Sequence, residues 1–285
     1  MGRVSHPETT DDALAALVRP DRYPLSSAYD PRWLVGLDMG PNPLWLLEDL
    51  CHDLDLRPGM RVLDLGAGRG ATSVFLAREL GVEVVAADLW VDPADVTAVL
   101  DAAGVADRVR AVRAEAHSLP FEPASFDAVV CIDAFEYFGT SEHYLPHLTR
   151  LLVPGGRLGV ATPALRREVR DLGAVPPHVA ACVGWEALAW HTPEWWRFHW
   201  EVTGLVTDVV ARLKHGGWDD WLRWQRAVAA LGPVGADADR EAAHASEAAA
   251  AVVPDGAGAD AVLTMLEADG GELLSFTLLS ARTPV

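Results

Sequence analysis

The sequence predicts an α/β fold built on a mainly parallel sheet. Three observations carry that expectation. From residue 60 to 162, short β-branched runs alternate with helical segments, the signature of βαβ units. The first run flows directly into a glycine cluster, Gly66, Gly68 and Gly70, which opens a helical pattern. After residue 163 the rhythm changes, and eight of the eleven tryptophans fall between Trp185 and Trp224. That shift marks an added aromatic region rather than a further βα repeat.

In chain order, strands are expected at 61–65, 83–87, 109–113, 128–132 and 157–161, with helices at 71–80, 93–103 and 140–152. Gly81 stops the first helix, Pro93 suits the opening turn of the second, and Pro154-Gly155-Gly156 ends the third. Past the core, "HTPEWWRFHWEVTG" reads as a helix with Thr192 as N-cap, Pro193 at the first helical position and Gly204 beyond its end. Strands follow at about 205–213 and 272–282. Between them lies mainly helical patterning, including 218–231 and an alanine-rich helix at 242–253, which is read as an inserted cap.

Bulk properties bound the function. The chain has 285 residues, half of them apolar, so a sizeable core is available. Its net charge of −18 argues against nucleic acid and against anionic membrane surfaces, because both are bound by basic residues. Cys51, Cys131 and Cys182 show no CxxC spacing, so neither a disulfide framework nor a zinc site is expected, and no metal is assigned. The first residues lack a signal-peptide pattern, and a cytoplasmic location is expected.

The glycine cluster alone is compatible with a dinucleotide, and a permissive GxGxxA fingerprint is present. A phosphate-binding P-loop is excluded, because no Lys-Ser or Lys-Thr pair follows the glycines. Two aspartates discriminate. Asp64 stands two residues before Gly66 at the end of the first strand, where its charge would oppose a pyrophosphate and favour a cationic ligand. Asp88 closes the next strand about twenty positions later, where a carboxylate can accept from both ribose hydroxyls. A positively charged nucleoside without phosphate is implied, and S-adenosylmethionine (SAM) fits.

The segments "VLDLGAGRG", "VVAADLW", "AEAHSLPF", "FDAVVCIDAFEYF" and "LLVPGGRLGVATP" resemble, in order and spacing, the successive motifs of class I SAM-dependent methyltransferases. The resemblance covers about residues 57 to 165. It implies a Rossmann-like three-layer sandwich with a seven-stranded, mostly parallel sheet and one antiparallel strand, here with a helical Trp-rich cap. It also implies three parts: an N-terminal helical lid (1–57), a SAM-binding core (58–164), and a C-terminal part (165–285) that completes the sheet and carries the cap at about 165–203 and 214–270. By position, Gly66, Ala67 and Gly68 would pass under the cofactor, Asp88 would hold the ribose, and Leu89 or Trp90 would pack on the adenine. Glu115 and Ala116 would sit at the adenine edge, with Glu115 standing where many relatives have aspartate, and Asp133 near the sulfonium. The segment 23–50 also resembles the start of small-molecule methyltransferases, which would bring Tyr23, Met39 and Gly40 to the cofactor.

The activity so implied is in-line methyl transfer from SAM to a small organic acceptor, leaving S-adenosyl-L-homocysteine (SAH), in secondary metabolism. Glu136, Tyr137 and His191 are the candidate catalytic residues, chosen for their place after the fourth strand or beside the tryptophan helix. Trp195, Trp196 and His199 are candidate walls of the acceptor pocket, because indoles stack on flat acceptors or surround cations, although burial is the ordinary fate of such a helix. Two rivals stay open: a non-methyl reaction such as cyclisation or decarboxylation on the same fold, and a non-catalytic SAM-binding partner. The aromatic cap also raises a homodimer as a candidate assembly.

Overall fold

The computed structural model describes residues 9–232 and 258–285. The helix expected at 242–253 lies outside the described residues. Seven strands form one sheet: β1 (Arg61–Leu65), β2 (Glu83–Asp88), β3 (Val109–Arg113), β4 (Phe126–Ile132), β5 (Leu152–Leu165), β6 (Thr207–Leu213) and β7 (Leu274–Arg282). Their order is β3-β2-β1-β4-β5-β7-β6. All pairs from β3 to β5 are parallel, while β7 runs antiparallel to both β5 and β6. The sheet is therefore the mostly parallel one with a single reversed strand that the motifs implied.

The strands in its centre are apolar at nearly every position, because both faces are covered. Strand parity sorts the residues: Val62, Val84, Ala86, Ala128, Val130, Leu278 and Phe276 belong to one apolar cluster, and Leu63, Val85, Ala87, Val129, Cys131, Val160 and Leu279 to the other. The first face carries most of the helices. Among these are α1 (Thr10–Ala15), α2 (Pro31–Gly36), α3 (Pro43–Cys51), α4 (Ala71–Leu80) and α5 (Pro93–Ala103). The second carries α6 (Tyr144–Thr149); α7 (Val169–Leu172) and α8 (Pro177–Val183), whose apolar residues join the first cluster, precede the tryptophan helix, and α9 (Pro193–Glu201) joins α6 on the second face. α10 (Gly217–Leu231) and α11 (Ala259–Asp269) complete the first.

Most boundaries follow local chemistry. Gly81 ends α4 at φ +65°, and Thr192 caps α9 by accepting from the Trp195 amide. One expected helix is cut short: α6 spans Tyr144–Thr149 rather than 140–152. The Leu151 carbonyl accepts from the Ser125 and Phe126 amides, and Leu152 pairs with Phe126, so the sheet recruits residues that would have continued the helix.

The Trp-rich helices flank the β7–β6 end of the sheet, one on each side. On α9, Trp196 and Trp200 are fully buried, with ring centroids 5.5 and 6.0 Å from Phe135. On α10, Trp221 packs on Phe276 at 4.8 Å, and Trp190 lies 5.8 Å from Trp221.

Candidate functional site

At the carboxyl ends of β1 and β2 the chain turns back on itself. Gly66, Gly68 and Gly70 all have positive φ, at +75°, +53° and +90°, a region open to glycine at little cost. The Gly66 and Ala67 amides both donate to the Ala87 carbonyl, at 2.8 and 3.1 Å. The Gly68 amide donates to Asp88 Oδ2 at 2.8 Å, and Asp88 Oδ1 accepts from the Trp90 and Val91 amides at 2.8 and 3.0 Å. Asp88 thus ties the glycine loop to the end of β2. Its carboxylate keeps lone pairs for further donors.

This loop forms the floor of a cavity of about 360 Å³, within the range of small-molecule sites. Gly66, Ala67 and Gly68 line the floor, and Asp88, Leu89 and Trp90 form the wall after β2. Glu115 and Ala116 close the side after β3, Asp133 and Tyr137 the side after β4, and Met39 and Gly40 lie across from them on the N-terminal segment. Added side chains would not be tolerated on the floor. A Cβ at Gly66 would stand 2.5 Å from Ala134 Cβ, and one at Gly68 3.0 Å from Met39 Sδ.

The electrostatics are acidic. Asp133 adopts φ +55°, and no donor among the described residues meets its carboxylate. Burial, reinforced by Glu136, Glu186 and Asp38, raises its proton affinity well above the ordinary carboxylate range. The Tyr137 hydroxyl donates toward Glu186, whose own affinity is raised by burial. Trp90 meets Tyr137 edge-on at 5.6 Å.

Several expected site residues stand elsewhere. Asp64 does not line the cavity: it is 1% exposed, and its Oδ2 accepts from the Thr72 and Ser73 hydroxyls, each at 2.6 Å. It therefore holds the first turn of α4 beneath the loop, and burial pushes it up to about 6. Tyr23 is wholly buried, stacks on Trp45 and donates to Asp220 at 2.6 Å, beside the Lys214 ammonium. It is anchored under the N-terminal segment rather than at the cavity. Glu136 is 4% exposed and accepts from Thr162, and burial pushes it up to about 8. It is not among the residues that line the cavity.

The aromatic candidates are displaced too. His191 hydrogen-bonds Glu168 through Nδ1 at 2.9 Å and stacks on Trp195 at 3.6 Å. His199 stacks on the same indole at 4.6 Å, and burial lowers the basicity of both imidazoles. None of His191, Trp195, Trp196 and His199 lines the cavity, because α9 faces the β6–β7 end of the sheet instead. Several lining residues escaped the motif reading. Phe138 and His117 come from turns after β4 and β3, and Leu37 from the N-terminal segment. The His117 Nδ1 lies 2.7 Å from Glu115 Oε1, a pairing that the Glu-x-His spacing could have suggested.

Among the described residues no helix is long and apolar enough to cross a membrane. A model described as a methyltransferase domain matches residues 62–156. The methyltransferase GfsG of Streptomyces halstedii is 31% identical over 45% of this chain and 46% of its own length. The chain thus spans about half of that relative. A demethylmenaquinone methyltransferase of Clavibacter sepedonicus is 36% identical over 58% of this chain and 69% of its own. In the solved structures, the [4+2]-cyclase SpnF shares the fold at a TM-score of 0.61, with 18% identity, covering 87% of this chain and 84% of its own. The glycine loop tied to Asp88, the reversed seventh strand and these matches agree: the chain belongs to the class I SAM-dependent methyltransferases.

Proposed function

We propose that the protein binds SAM in this cavity and transfers its methyl group to a small organic acceptor that carries no net negative charge. One observation supports the cofactor assignment above the others: the loop amides are already engaged by the protein. Gly66 and Ala67 donate to Ala87, Gly68 to Asp88 and Gly70 to Ala67, so none of the four is offered to a pyrophosphate. A dinucleotide site needs such amides facing its phosphates. The glycine floor, too tight for any Cβ at Gly66, leaves room for a flat nucleoside to lie against backbone.

When bound, SAM supplies an electrophilic methyl carbon on a positively charged sulfur. The chain's own residues bind, orient and exclude water. Asp88 would accept from the ribose hydroxyls on lone pairs left beside its amide contacts, and Trp90 and Leu89 would cover the base. Asp133, lacking a donor, would face the positively charged end of the cofactor. Glu136 and Glu186 raise the proton affinity of Asp133, and a cationic ligand beside it would favour its ionised form, which disfavours an anionic acceptor at this end. If the nucleophile must lose a proton, Tyr137, which lines the cavity, would take it while passing its own hydroxyl proton to the Glu186 carboxylate toward which it donates. Holding the reactants in line supplies most of the rate enhancement.

The [4+2]-cyclase on the same fold favours keeping a second reading, a reaction without methyl transfer. Methyl-deuterated SAM separates the two: label recovered in product supports transfer, and product without label supports the second. A cytoplasmic enzyme without nucleic-acid partners is consistent with the −18 charge. For a homodimer, Phe198 on α9 and Val202 at its C-cap, one turn apart and both exposed, form an apolar patch that a second copy could cover. Sedimentation would decide that assembly.

A further inference from the structure

The N-terminal segment reaches the cavity only at its tip, and the structure shows what holds that tip. The fully buried Trp224, on α10, donates from Nε1 to the Gly40 carbonyl at 2.7 Å and to Asp38 Oδ1 at 3.0 Å. Gly40 sits so close to Asp133 that a Cβ there would collide with the Asp133 carboxylate, and Met39 Sδ lies over Gly68. The same indole donor thus fixes the backbone that covers both the glycine floor and Asp133.

One helical turn earlier on α10, Asp220 grips the root of the same segment. It accepts from Tyr23 at 2.6 Å and from Arg19 at 2.5 Å, and it pairs with the buried Lys214. α10 is itself pinned to the sheet through Trp221 on Phe276 and to α11 through Trp218, which donates to the Leu266 carbonyl at 2.9 Å. One face of a C-terminal helix therefore carries two anchors, an ionic one for the root and an indole for the tip. The ionic anchor lies away from the cavity. The indole ends on residues that form its wall.

We infer that Trp224 is a positioning residue for cofactor binding: its Nε1–H sets Met39 and Gly40 over the site, although the indole itself does not line it. This rests on the proposal that the cavity holds SAM. Trp224→Phe keeps the ring and removes the donor, which leaves the Gly40 carbonyl without that partner. Calorimetric titration of the folded variant with SAH should show affinity reduced about tenfold. Trp200→Phe is the matched control, because Trp200 is equally buried and its Nε1 has no partner in the structure. It should bind SAH as the parent does.

Hydrogen exchange on the unliganded protein gives a second reading independent of any ligand. In Trp224→Phe, the amides of Asp38, Met39, Gly40 and Asn42 should exchange faster, while those of Tyr23 and residues 25–29, held at the root of the segment, should not change. Asp38→Ala should shift both readouts the same way by a smaller amount, and Asp38→Asn, which retains an acceptor oxygen, should restore them. Asp38→Ala also decides the question if Trp224→Phe fails to fold. Unchanged affinity and exchange in the Trp224 variant, or an equal loss in Trp200→Phe, would overturn the inference. If the parent protein itself ignores SAH, the proposed function fails, and the exchange data still judge Trp224.

Discussion

The loops after β1 and β2 and the tryptophan-rich segment from 185 to 224 were the two chemically loudest parts of the sequence, and they turned out to do opposite things. Around Gly66 and Asp88, polar and glycine residues converge on a cavity. Between Trp185 and Trp224, most of the aromatic surface is spent on the two faces of the β7–β6 sheet end, and none of the eight indoles lines that cavity. Trp224 bridges the two roles: it is a core residue whose single polar atom reaches the site's wall. The difference is one of direction. A strand-end carboxylate and a glycine at positive φ fix geometry within a few residues, whereas an indole's apolar surface is satisfied by any well-packed neighbour.

The contrast breaks most readily at Trp200. Trp200→Ala should destabilise the fold by about 3–5 kcal/mol, the usual cost of emptying such a site, as measured by denaturant unfolding. The protein that remains folded should bind SAH normally. A loss of binding without a loss of stability would move the α9 tryptophans from core to site. Asp88→Ala comes next and tests the other side, with SAH binding weakened by about 1–3 kcal/mol in calorimetry. A purely structural Asp88 would instead lower the melting temperature and leave the affinity of the folded fraction unchanged.

What could be read in advance divides along the same line. The five parallel strands followed from β-branched runs and the reversed last one from the family resemblance, and Asp88, Glu115, Asp133 and Tyr137, placed after β2, β3 and β4, do meet at one cavity. Asp64 was misplaced because its strand position was legible but its side-chain direction was not. Thr72 and Ser73, on the following helix, claim its carboxylate. Tyr23 was misplaced because its partners Asp220 and Lys214 lie almost two hundred residues away, beyond any local pattern. His191 and His199 were ranked by neighbourhood to a helix whose buried face could not be told from the sequence, and both proved to sandwich Trp195.

A pH experiment sharpens the comparison further, with a smaller effect. Glu136 is pushed from its ordinary 4.5 up to about 8 by burial. Between those values the folded chain keeps a proton that the unfolded chain has released. Stability therefore falls as pH rises through that window, by up to about 1.4 kcal/mol per pH unit for one such group. Glu136→Gln, neutral throughout, should flatten the decline of melting temperature across the window. An unaltered slope would mean that Glu136 is ionised in the fold and available as a base. The smallest effect is expected at Phe198, which is 67% exposed on α9. Phe198→Ser should change monomer stability by no more than about 0.5 kcal/mol, and any larger change that depends on protein concentration would point to a covered interface.

The most direct check is a side-by-side calorimetric titration of the unmodified protein with SAH and with NAD. The loop amides committed to Ala87 and Asp88, and the acidic wall at Asp133, call for saturable one-to-one binding of SAH and no heat from the dinucleotide. Binding of NAD in preference to SAH, or silence toward SAH up to millimolar concentration, would contradict the assignment of this cavity to a cationic, phosphate-free nucleoside.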